Sequence, residues 1–458
     1  MFLDLVFAVG PATAESITDE QRFFALGVML LYPIVFNNFL NKGERIPTAL
    51  IILLTGIVTV PIFGQKPLQT SDDFIHIVHL ISLNIILFSS GLGTKFASIK
   101  SILRYSLVIS TLGVAVSAAI IGTLFYFALS IDFLGFGYAG LEHIPFNLCI
   151  LIGACLSSTD AGASISILTR LPVKLPDKVF NILKFESSIN DPSAIIVYGV
   201  IGSWILSEAF KAGATSSDLS ISSNLTFRAI TDDFVGLFST GILVGVVFGY
   251  LSIWMLKNLN IRKPQLLTAG LAIVSLNYAI SNYIGGSGLI SAFVSGMVLI
   301  NLLKSTDISI IKDMRESLMP FEELAEMFIY FSFAARIDPE SLFRMLPLGL
   351  ICAFIMMVIA RPISIYIFQP FSSLNWKESS LLGWCGLKGS VTLALSFEMV
   401  DLISKAQVLG ANFSPEFAQN IQSIILITAL ANLFVQSISI SNVANWVTNK
   451  SELMKEVQ

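Results

Sequence analysis

Charged residues are scarce in this chain of 458 residues: Asp, Glu, Lys and Arg make up 13% of it, against about 25% in ordinary soluble domains. Hydrophobic residues account for 54%, and the mean hydropathy is +0.79. This balance excludes a soluble fold built around one core. It predicts an all-α protein that crosses a membrane many times.

Cysteine is rare as well. The four cysteines lie inside apolar runs without the spacing of a metal-binding motif, so we interpret them as small packing residues: Cys149, Cys155, Cys352 and Cys385. The net charge is only −4, and no cluster of basic residues occurs along the chain. The composition therefore predicts no nucleic-acid partner.

Long apolar runs, separated by polar or Pro- and Gly-containing loops, fill most of the sequence. We predict thirteen membrane spans. Their bounds are 23–40, 46–64, 74–93, 104–129, 145–168, 178–207, 234–256, 264–283, 286–303, 316–335, 343–368, 378–400 and 419–443. The break at Ile284-Gly285-Gly286 is the least clear division between two spans.

Positive charge predicts the orientation. With the N-terminus outside, the inner loops and tail contain more than twice as many Lys and Arg residues as the outer segments. Met1–Ser16 lacks the basic region of a signal peptide, so we expect a retained outer tail. We expect a short cytoplasmic tail at 444–458 and a multi-pass location in a prokaryotic inner (plasma) membrane.

Two polar strings interrupt the apolar spans. Ser157-Ser158-Thr159-Asp160 lies in the fifth span, and Glu186-Ser187-Ser188-Ile189-Asn190-Asp191 lies in the sixth. An ionised carboxylate inside a span costs at least about 2.5–3.5 kcal/mol, so it indicates an ion or substrate pathway by default. With ~1.5 Å of rise per residue, both aspartates fall near the middle of a ~30 Å hydrocarbon core.

These strings supply the oxygen ligands that a monovalent cation prefers. The loop between the two spans is short, so the spans are antiparallel neighbours whose acids can meet. We predict a cation site made of the Asp191 carboxylate, the Ser187 hydroxyl, Asp160 and the Thr159 carbonyl oxygen. Because burial favours a protonated carboxyl and a bound cation favours an ionised one, Asp191 holds either a proton or the cation, but hardly both.

Residues that weaken helices crowd the middle of the fifth and the twelfth spans, at 153–162 and 383–390. Broken membrane helices often bind ions in transporters, because freed carbonyl groups and helix ends coordinate charge. The alternative is that these glycines only allow close helix packing. The two segments lie in opposite halves of the chain, as an inverted repeat with two crossed broken helices requires.

Charged residues elsewhere in the spans also need explanation. Arg361 should face an acid, and Glu186 is the preferred partner. Lys388 lies at the second predicted break, where it would offset the negative end of a half-helix. For both cations a structural role is favoured over direct transport. Three acids of span 316–335 either line a funnel that attracts cations or are solvated charges at a helix end: Glu322, Glu323 and Glu326.

Together these residues resemble a known family. Thr159-Asp160, the string from Glu186 to Asp191, Arg361 and Gly386-Leu387-Lys388-Gly389 are similar to the motifs of the monovalent cation/proton antiporters of the NhaP and NHE branch. The resemblance extends to the number of spans and to the outer N-terminus. In one departure, Lys388 stands where the family usually has Arg, which keeps the charge but lacks the planar fork.

The resemblance implies an inverted-repeat antiporter fold at 1–443, with a dimerisation part and a mobile core part that includes roughly 74–207 and 316–443. It implies Na⁺/H⁺ or Li⁺/H⁺ exchange by alternating access, with K⁺/H⁺ exchange as the alternative. Asp191 would bind cation and proton, while Asp160, Ser187 and Thr159 complete the site. Four residues would support it: Glu186, Asn190, Arg361 and Lys388.

Asn190 stands where electrogenic relatives have Asp, so the resemblance implies electroneutral exchange. It further implies a homodimer in the bilayer, with Na⁺ and H⁺ as substrates and without enzymatic activity or a cofactor. Two other classes fit less well. A presenilin-type membrane protease would contain a Gly-x-Gly-Asp motif, which this sequence lacks. A channel agrees less well with thirteen unlike spans and two broken helices.

Overall fold

The structure, a computed structural model, describes residues 26–28, 30–31, 34–35, 46–63, 72–96, 102–130, 144–171, 175–213, 227–259, 261–302, 308–409, 413 and 416–453. These residues form helices and turns, and no β-strand occurs among them. The α-helices within them are α1 (Thr48–Phe63), α2 (Asp72–Gly93), α3 (Leu103–Ser130), α4 (Phe146–Cys155), α5 (Ala161–Thr169), α6 (Asp177–Gly213), α7 (Phe227–Asn258), α8 (Leu266–Tyr283), α9 (Gly288–Leu302), α10 (Ile308–Arg336), α11 (Pro339–Phe354), α12 (Arg361–Ile367), α13 (Trp376–Trp384), α14 (Ser390–Val408) and α15 (Phe417–Leu453).

The predicted spans agree with these helices from 46–64 onward. Five continuous helical stretches in the described part are long and apolar enough to cross a membrane: Leu103–Ser130, Asp177–Ala209, Val235–Asn258, Pro339–Ile367 and Phe417–Thr448. Shorter apolar helices accompany them. Most of the first predicted span, 23–40, and the expected outer tail, Met1–Ser16, lie outside the described residues. Helix α15 extends past the last predicted span and ends at Leu453, within the segment expected to form the tail, 444–458.

Both predicted helix breaks are present. The fifth span divides into α4, of 10 residues, and α5, of 9 residues, with residues 156–160 between them. The twelfth divides into α13 and α14, with residues 385–389 between them. At ~1.5 Å per residue, α4 and α5 are each too short to cross a ~30 Å core alone, so both breaks place free backbone groups at membrane depth.

The division between the eighth and ninth spans also agrees with the prediction. Helix α8 ends at Tyr283, and Gly285 follows with a φ of 87°, in the left-handed region that favours glycine. Gly286 N donates to Ser281 O at 2.8 Å, which closes the turn at the end of α8. Helix α9 begins two residues later, at Gly288.

The helices pack in two groups. Helices α1, α2 and α7–α10 contact one another extensively and form the first group. Helices α3–α6 and α11–α15 form the second group, which contains both broken helices. The acids of the polar strings lie in the second group, and α10, which carries Glu322, Glu323 and Glu326, lies in the first.

Within each group the helix backbones approach one another closely. This is typical of membrane proteins, because lipid tails are as apolar as the helices and van der Waals packing must hold the helices together. In the first group, a Cβ on Gly91 of α2 would lie 2.2 Å from Phe293 O of α9. In the second, a Cβ on Gly153 of α4 would lie 2.2 Å from Ala118 O of α3. Only glycine fits at these two crossings.

The segment that contains Arg361 is locally irregular. A π-helical stretch, Ile355–Ala360, joins α11 to α12, and Pro362 follows Arg361 directly. A π-turn rotates the following residues relative to a regular helix, and such turns are frequent at functional sites. Arg361 is 7% exposed and therefore lies inside the second group.

Candidate functional site

The two helix breaks contact each other in the interior of the second group. Asp160 N donates to Leu387 O at 2.7 Å, and a Cβ on Gly389 would lie 2.9 Å from the Cβ of Asp160. The Asn432 side chain of α15 supports the second break: its Oδ1 accepts from Lys388 N at 2.9 Å, and its Nδ2 donates to Gly386 O at 3.3 Å. The broken helices therefore cross at their interruptions.

Asp160 caps the second half of the broken helix. Its Oδ1 accepts a hydrogen bond from Gly162 N at 2.6 Å, in the N-cap geometry that satisfies a free amide at a helix start. The N-terminal end of α5 also favours a negative charge at this position. The Asp160 side chain is partly exposed and lines a cavity.

Helix α6 brings the second polar string to the same break. Asp191 accepts a short hydrogen bond from Ser158 Oγ, and Ser187 Oγ accepts from Ala161 N at 3.0 Å. Asn190 Nδ2 donates to Thr159 O at 3.3 Å and also to Thr159 Oγ1. The structure thus assembles the four predicted ligand residues at one place. The Ser187 and Thr159 oxygens accept bonds from the protein, and each keeps a second lone pair.

A proline next to Asp191 changes the backbone bonding of α6. Pro192 lies inside the helix and has no N–H to donate to the carbonyl group of Ser188, four residues earlier. Ser90 Oγ of α2 donates to Ser188 O at 3.2 Å instead. This hydrogen bond joins the first group of helices to the second, beside the candidate site.

The predicted ion pair is present. Arg361 contacts both carboxylate oxygens of Glu186, with Nη1–Oε1 at 2.7 Å and Nη2–Oε2 at 2.8 Å. Glu186 is 1% exposed and Arg361 is 7% exposed. Two parallel contacts of this kind fix orientation as well as charge. The pair joins α6 to α12 one helical turn from Asp191.

Lys388 lies at the second break, as predicted, and contacts the first. Its Nζ donates to Leu156 O and to Ser158 O, the second at 2.9 Å. Both carbonyl groups follow the last turn of α4, where a helix presents its negative end. The ammonium group therefore compensates the C-terminal end of a half-helix, and it donates to backbone carbonyl groups rather than to Asp191.

A cavity of about 550 Å³ reaches Asp160 from one end of the molecule. Its walls come from both groups: α1 and α10 on one side and α5 on the other. Three of the four glutamates of span 316–335 line it, which favours the funnel over the alternative of solvated helix-end charges: Glu322, Glu323 and Glu326. Glu322 accepts a short hydrogen bond from Ser89 Oγ.

Three contributors to the site were missed by the sequence interpretation. Ser158 is not among the predicted ligand residues, although it lies between two other hydroxyl residues, Ser157 and Thr159, and such a run indicates a local polar contact. Asn432 is an amide inside an apolar span, which indicates a polar partner within the membrane. Ser90 gave no signal, because a single serine in a membrane helix is common.

The described residues hold no group of three His, Cys, Asp or Glu side chains close enough to bind a metal ion. The candidate site accordingly combines two carboxylates with hydroxyl and carbonyl oxygens. Two crossed broken helices with acids at their breaks, reached by a cavity between two helix groups, define a secondary transporter.

Comparison with known proteins places the chain in a family. It belongs to the transmembrane sodium/hydrogen exchanger family, whose model matches residues 26–446. The family predicted from the motifs is thereby confirmed, and it is a family of multi-pass membrane transporters rather than of enzymes. Transporters of this family need no cofactor for exchange, in agreement with the sequence prediction.

The individual relatives are less than 30% identical to this chain. The K⁺/H⁺ antiporter NhaP2 of Shewanella sp. (strain ANA-3) is 28% identical over 402 residues, 86% of this chain and 63% of that protein. The Na⁺/H⁺ antiporter NhaS2 of Synechocystis sp. is 27% identical over 387 residues, 81% of this chain and 61% of that protein. The chain thus spans less than two thirds of the length of these curated relatives.

The fold also matches a solved structure. The sodium proton antiporter MjNhaP1 from Methanocaldococcus jannaschii is similar with a TM-score of 0.72 over 91% of this chain and 99% of that one. The sequences are 20% identical, so the likeness concerns the fold. It confirms the predicted all-α antiporter fold.

Proposed function

We propose that this chain exchanges a monovalent cation for protons across a membrane, with both ions competing for Asp191. The observation that carries this proposal is the meeting of Asp191, Asp160, Ser187 and Thr159 where the two broken helices cross. Four oxygen-bearing groups converge there, and a cavity reaches one of them, Asp160. In this proposal Asp191 carries the exchanged charge, and the other three groups complete the coordination of the cation.

Competition at one carboxylate is sufficient for coupling. A protonated Asp191 has no charge with which to hold a cation, and a bound cation favours the ionised form. The carrier changes its exposure with Asp191 occupied by one ion or by the other, so the two fluxes run in opposite directions. Asp160 stays ionised in this scheme, because Gly162 N and the start of α5 stabilise its charge.

We propose Na⁺ or Li⁺ as the transported cation, with K⁺ as the alternative. Relatives of similar identity are named as K⁺/H⁺ and Na⁺/H⁺ antiporters, so the names support both ions. The coordinating groups also accept all three, since each takes hard oxygen ligands.

Electroneutral exchange is proposed from Asn190. This residue is neutral, and its amide group is occupied by Thr159 rather than by a titrating partner. With a constant charge on Asp160, only Asp191 changes its charge during the cycle. One proton would then be exchanged for one monovalent cation.

We further propose that the second helix group moves relative to the first, with the cavity between them closing on one side and opening on the other. The packing supports a moving part made of α3–α6 and α11–α15, narrower than the predicted core because α2 and α10 pack with the first group. We propose a homodimer in a prokaryotic inner membrane, with the N-terminus outside and the C-terminus in the cytoplasm.

The test is a flux assay in everted vesicles that hold a proton gradient. We expect Na⁺, Li⁺ or K⁺ to dissipate the gradient without an applied current, and the half-saturating concentrations of the three salts rank the ions. Choline chloride at the same ionic strength is the control. If none of the cations dissipates the gradient in vesicles that contain correctly inserted protein, antiport is excluded.

A further inference from the structure

The acids of α10 form a second feature of the cavity, separate from the crossed breaks. Glu322 and Glu326 are four residues apart and therefore lie on one helix face, with Tyr330 one turn further along. All three line the cavity that reaches Asp160. They lie on the first helix group, whereas Asp160 and Asp191 lie on the second.

We propose that Glu322, Glu326 and Tyr330 form a second binding site for a monovalent cation, on the cavity wall that faces Asp160. The site deepens the proposed function, and its role in transport depends on that function, but cation binding to it does not. The cation would occupy this site first and then pass to Asp160 and Asp191.

The hydrogen bonding of these residues points to a ligand. Tyr330 is 3% exposed and lines the cavity, yet its hydroxyl has no hydrogen-bond partner among the described residues. Glu326 likewise has neither a hydrogen bond nor an ion pair within the described part of the chain. Glu326 is half-buried, so the unpartnered hydroxyl of a buried tyrosine and a neighbouring carboxylate are both free to bind a ligand from the cavity.

Charge in the cavity favours a cation over water alone. The lining residues include four carboxylates, on Asp160, Glu322, Glu323 and Glu326, and one guanidinium group, on Arg170. Glu322 and Glu326 repel each other when both are ionised, and a cation between them removes that repulsion. Ser89 Oγ donates to Glu322 and holds that carboxylate in place. Two carboxylates and one hydroxyl, completed by water, suit a monovalent cation.

Calorimetry on purified protein tests the site directly. In an Asp191→Asn background, titration with NaCl, LiCl or KCl should still show one cation site. Adding Glu326→Gln should remove that binding, whereas adding Glu316→Gln should leave it unchanged. Glu316 is a matched control, because it lies on the same helix, is 52% exposed, and pairs with Lys312 at 3.8 Å. Absence of cation binding in Asp191→Asn, or unchanged binding after Glu326→Gln, overturns the proposal.

Transport kinetics provide a second readout. Glu326→Gln should raise the cation KM about tenfold or more, as expected for loss of one charged ligand, with kcat at saturation unchanged. Tyr330→Phe should raise KM less, and Glu316→Gln should not change it. If Glu323→Gln raises KM as much as Glu326→Gln, the acids act only as a diffuse field and the discrete site is wrong.

The two proposals fail in different ways. If wild-type protein shows no antiport, the proposed function is wrong, while calorimetry still decides whether α10 binds a cation. If antiport is present but Glu326→Gln alters neither binding nor KM, only the second site is wrong. Equal melting temperatures of the glutamine variants and the wild type confirm that folding is unchanged.

Discussion

Asp191 combines three properties that suit it to bind an ion. It is partly exposed, it accepts a hydrogen bond from Ser158, and its helix delivers Ser187 and Asn190 to the same break. The neighbouring Asp160 differs because its carboxylate is held as a helix cap. In the proposed mechanism the two acids at the crossing therefore have separate tasks, one exchanging ions and one providing fixed charge.

Replacement of Asp191 by Asn should abolish exchange. The amide keeps the size and the hydrogen bonding of the side chain but removes the charge for which proton and cation compete. The measurement is cation-driven proton flux in vesicles, with immunoblotting to confirm insertion. Normal exchange by correctly inserted Asp191→Asn would show that the competing ions bind elsewhere.

Glu186 and Arg361 should each stabilise the fold only while the other is present. Removing one partner leaves a buried charge unpaired, which costs roughly 3–5 kcal/mol. Glu186→Ala and Arg361→Ala should each lower the melting temperature in detergent, and the double variant should lose less than the sum of the two. Strictly additive losses would contradict coupling between these side chains.

At the scale of helices, the crossing of the two breaks depends on a missing side chain. Gly389→Ala would place a Cβ 2.9 Å from the Cβ of Asp160, so one of the two broken helices must shift. Such overpacking costs typically about 1–3 kcal/mol. We expect a lower melting temperature and a large loss of transport, because the shift displaces Asp160.

A matched control lies on the same segment. A Cβ on Gly383, near the end of α13, would meet Pro362 Cα at 3.7 Å and Ile365 Cγ1 at 3.9 Å, which are ordinary contacts. Gly383→Ala should therefore retain both stability and transport. Equal impairment of the two alanine variants would mean that helix propensity, rather than the crossing, accounts for the effect.

The helix breaks and the buried pair were predictable for physical reasons. Backbone-bonding side chains and glycines weaken a helix wherever they occur, and a buried Arg361 requires an acid. The extent of α10 was not predictable, because its first residues, from Ile308 to Arg315, are too polar for a hydropathy window. The carbonyl partners of Lys388 were equally hidden, since backbone acceptors leave no mark in a sequence.

For the whole molecule, the proposed electroneutral exchange predicts how transport responds to membrane potential. One proton exchanged for one monovalent cation moves no net charge. Each uncompensated charge, in contrast, would change the free energy of transport by about 2.3 kcal/mol per 100 mV of membrane potential. Flux in proteoliposomes should therefore be equal at zero and at a large negative potential. A strong dependence on potential, or a sustained transport current, would disprove the stoichiometry.

The hydrogen bond from Ser90 to Ser188 has a further consequence for the working cycle. It joins the two helix groups, so the proposed movement must break it, and Pro192 leaves the Ser188 carbonyl without a partner inside its own helix. This hydrogen bond should therefore contribute about 0.5–1.5 kcal/mol to the stability of this state, the usual net contribution of one hydrogen bond. Ser90→Ala should move the resting population several-fold toward the other orientation. In the proposed cycle, Pro192 frees a carbonyl group beside the candidate ion site for a hydrogen bond that only one of the two conformations makes.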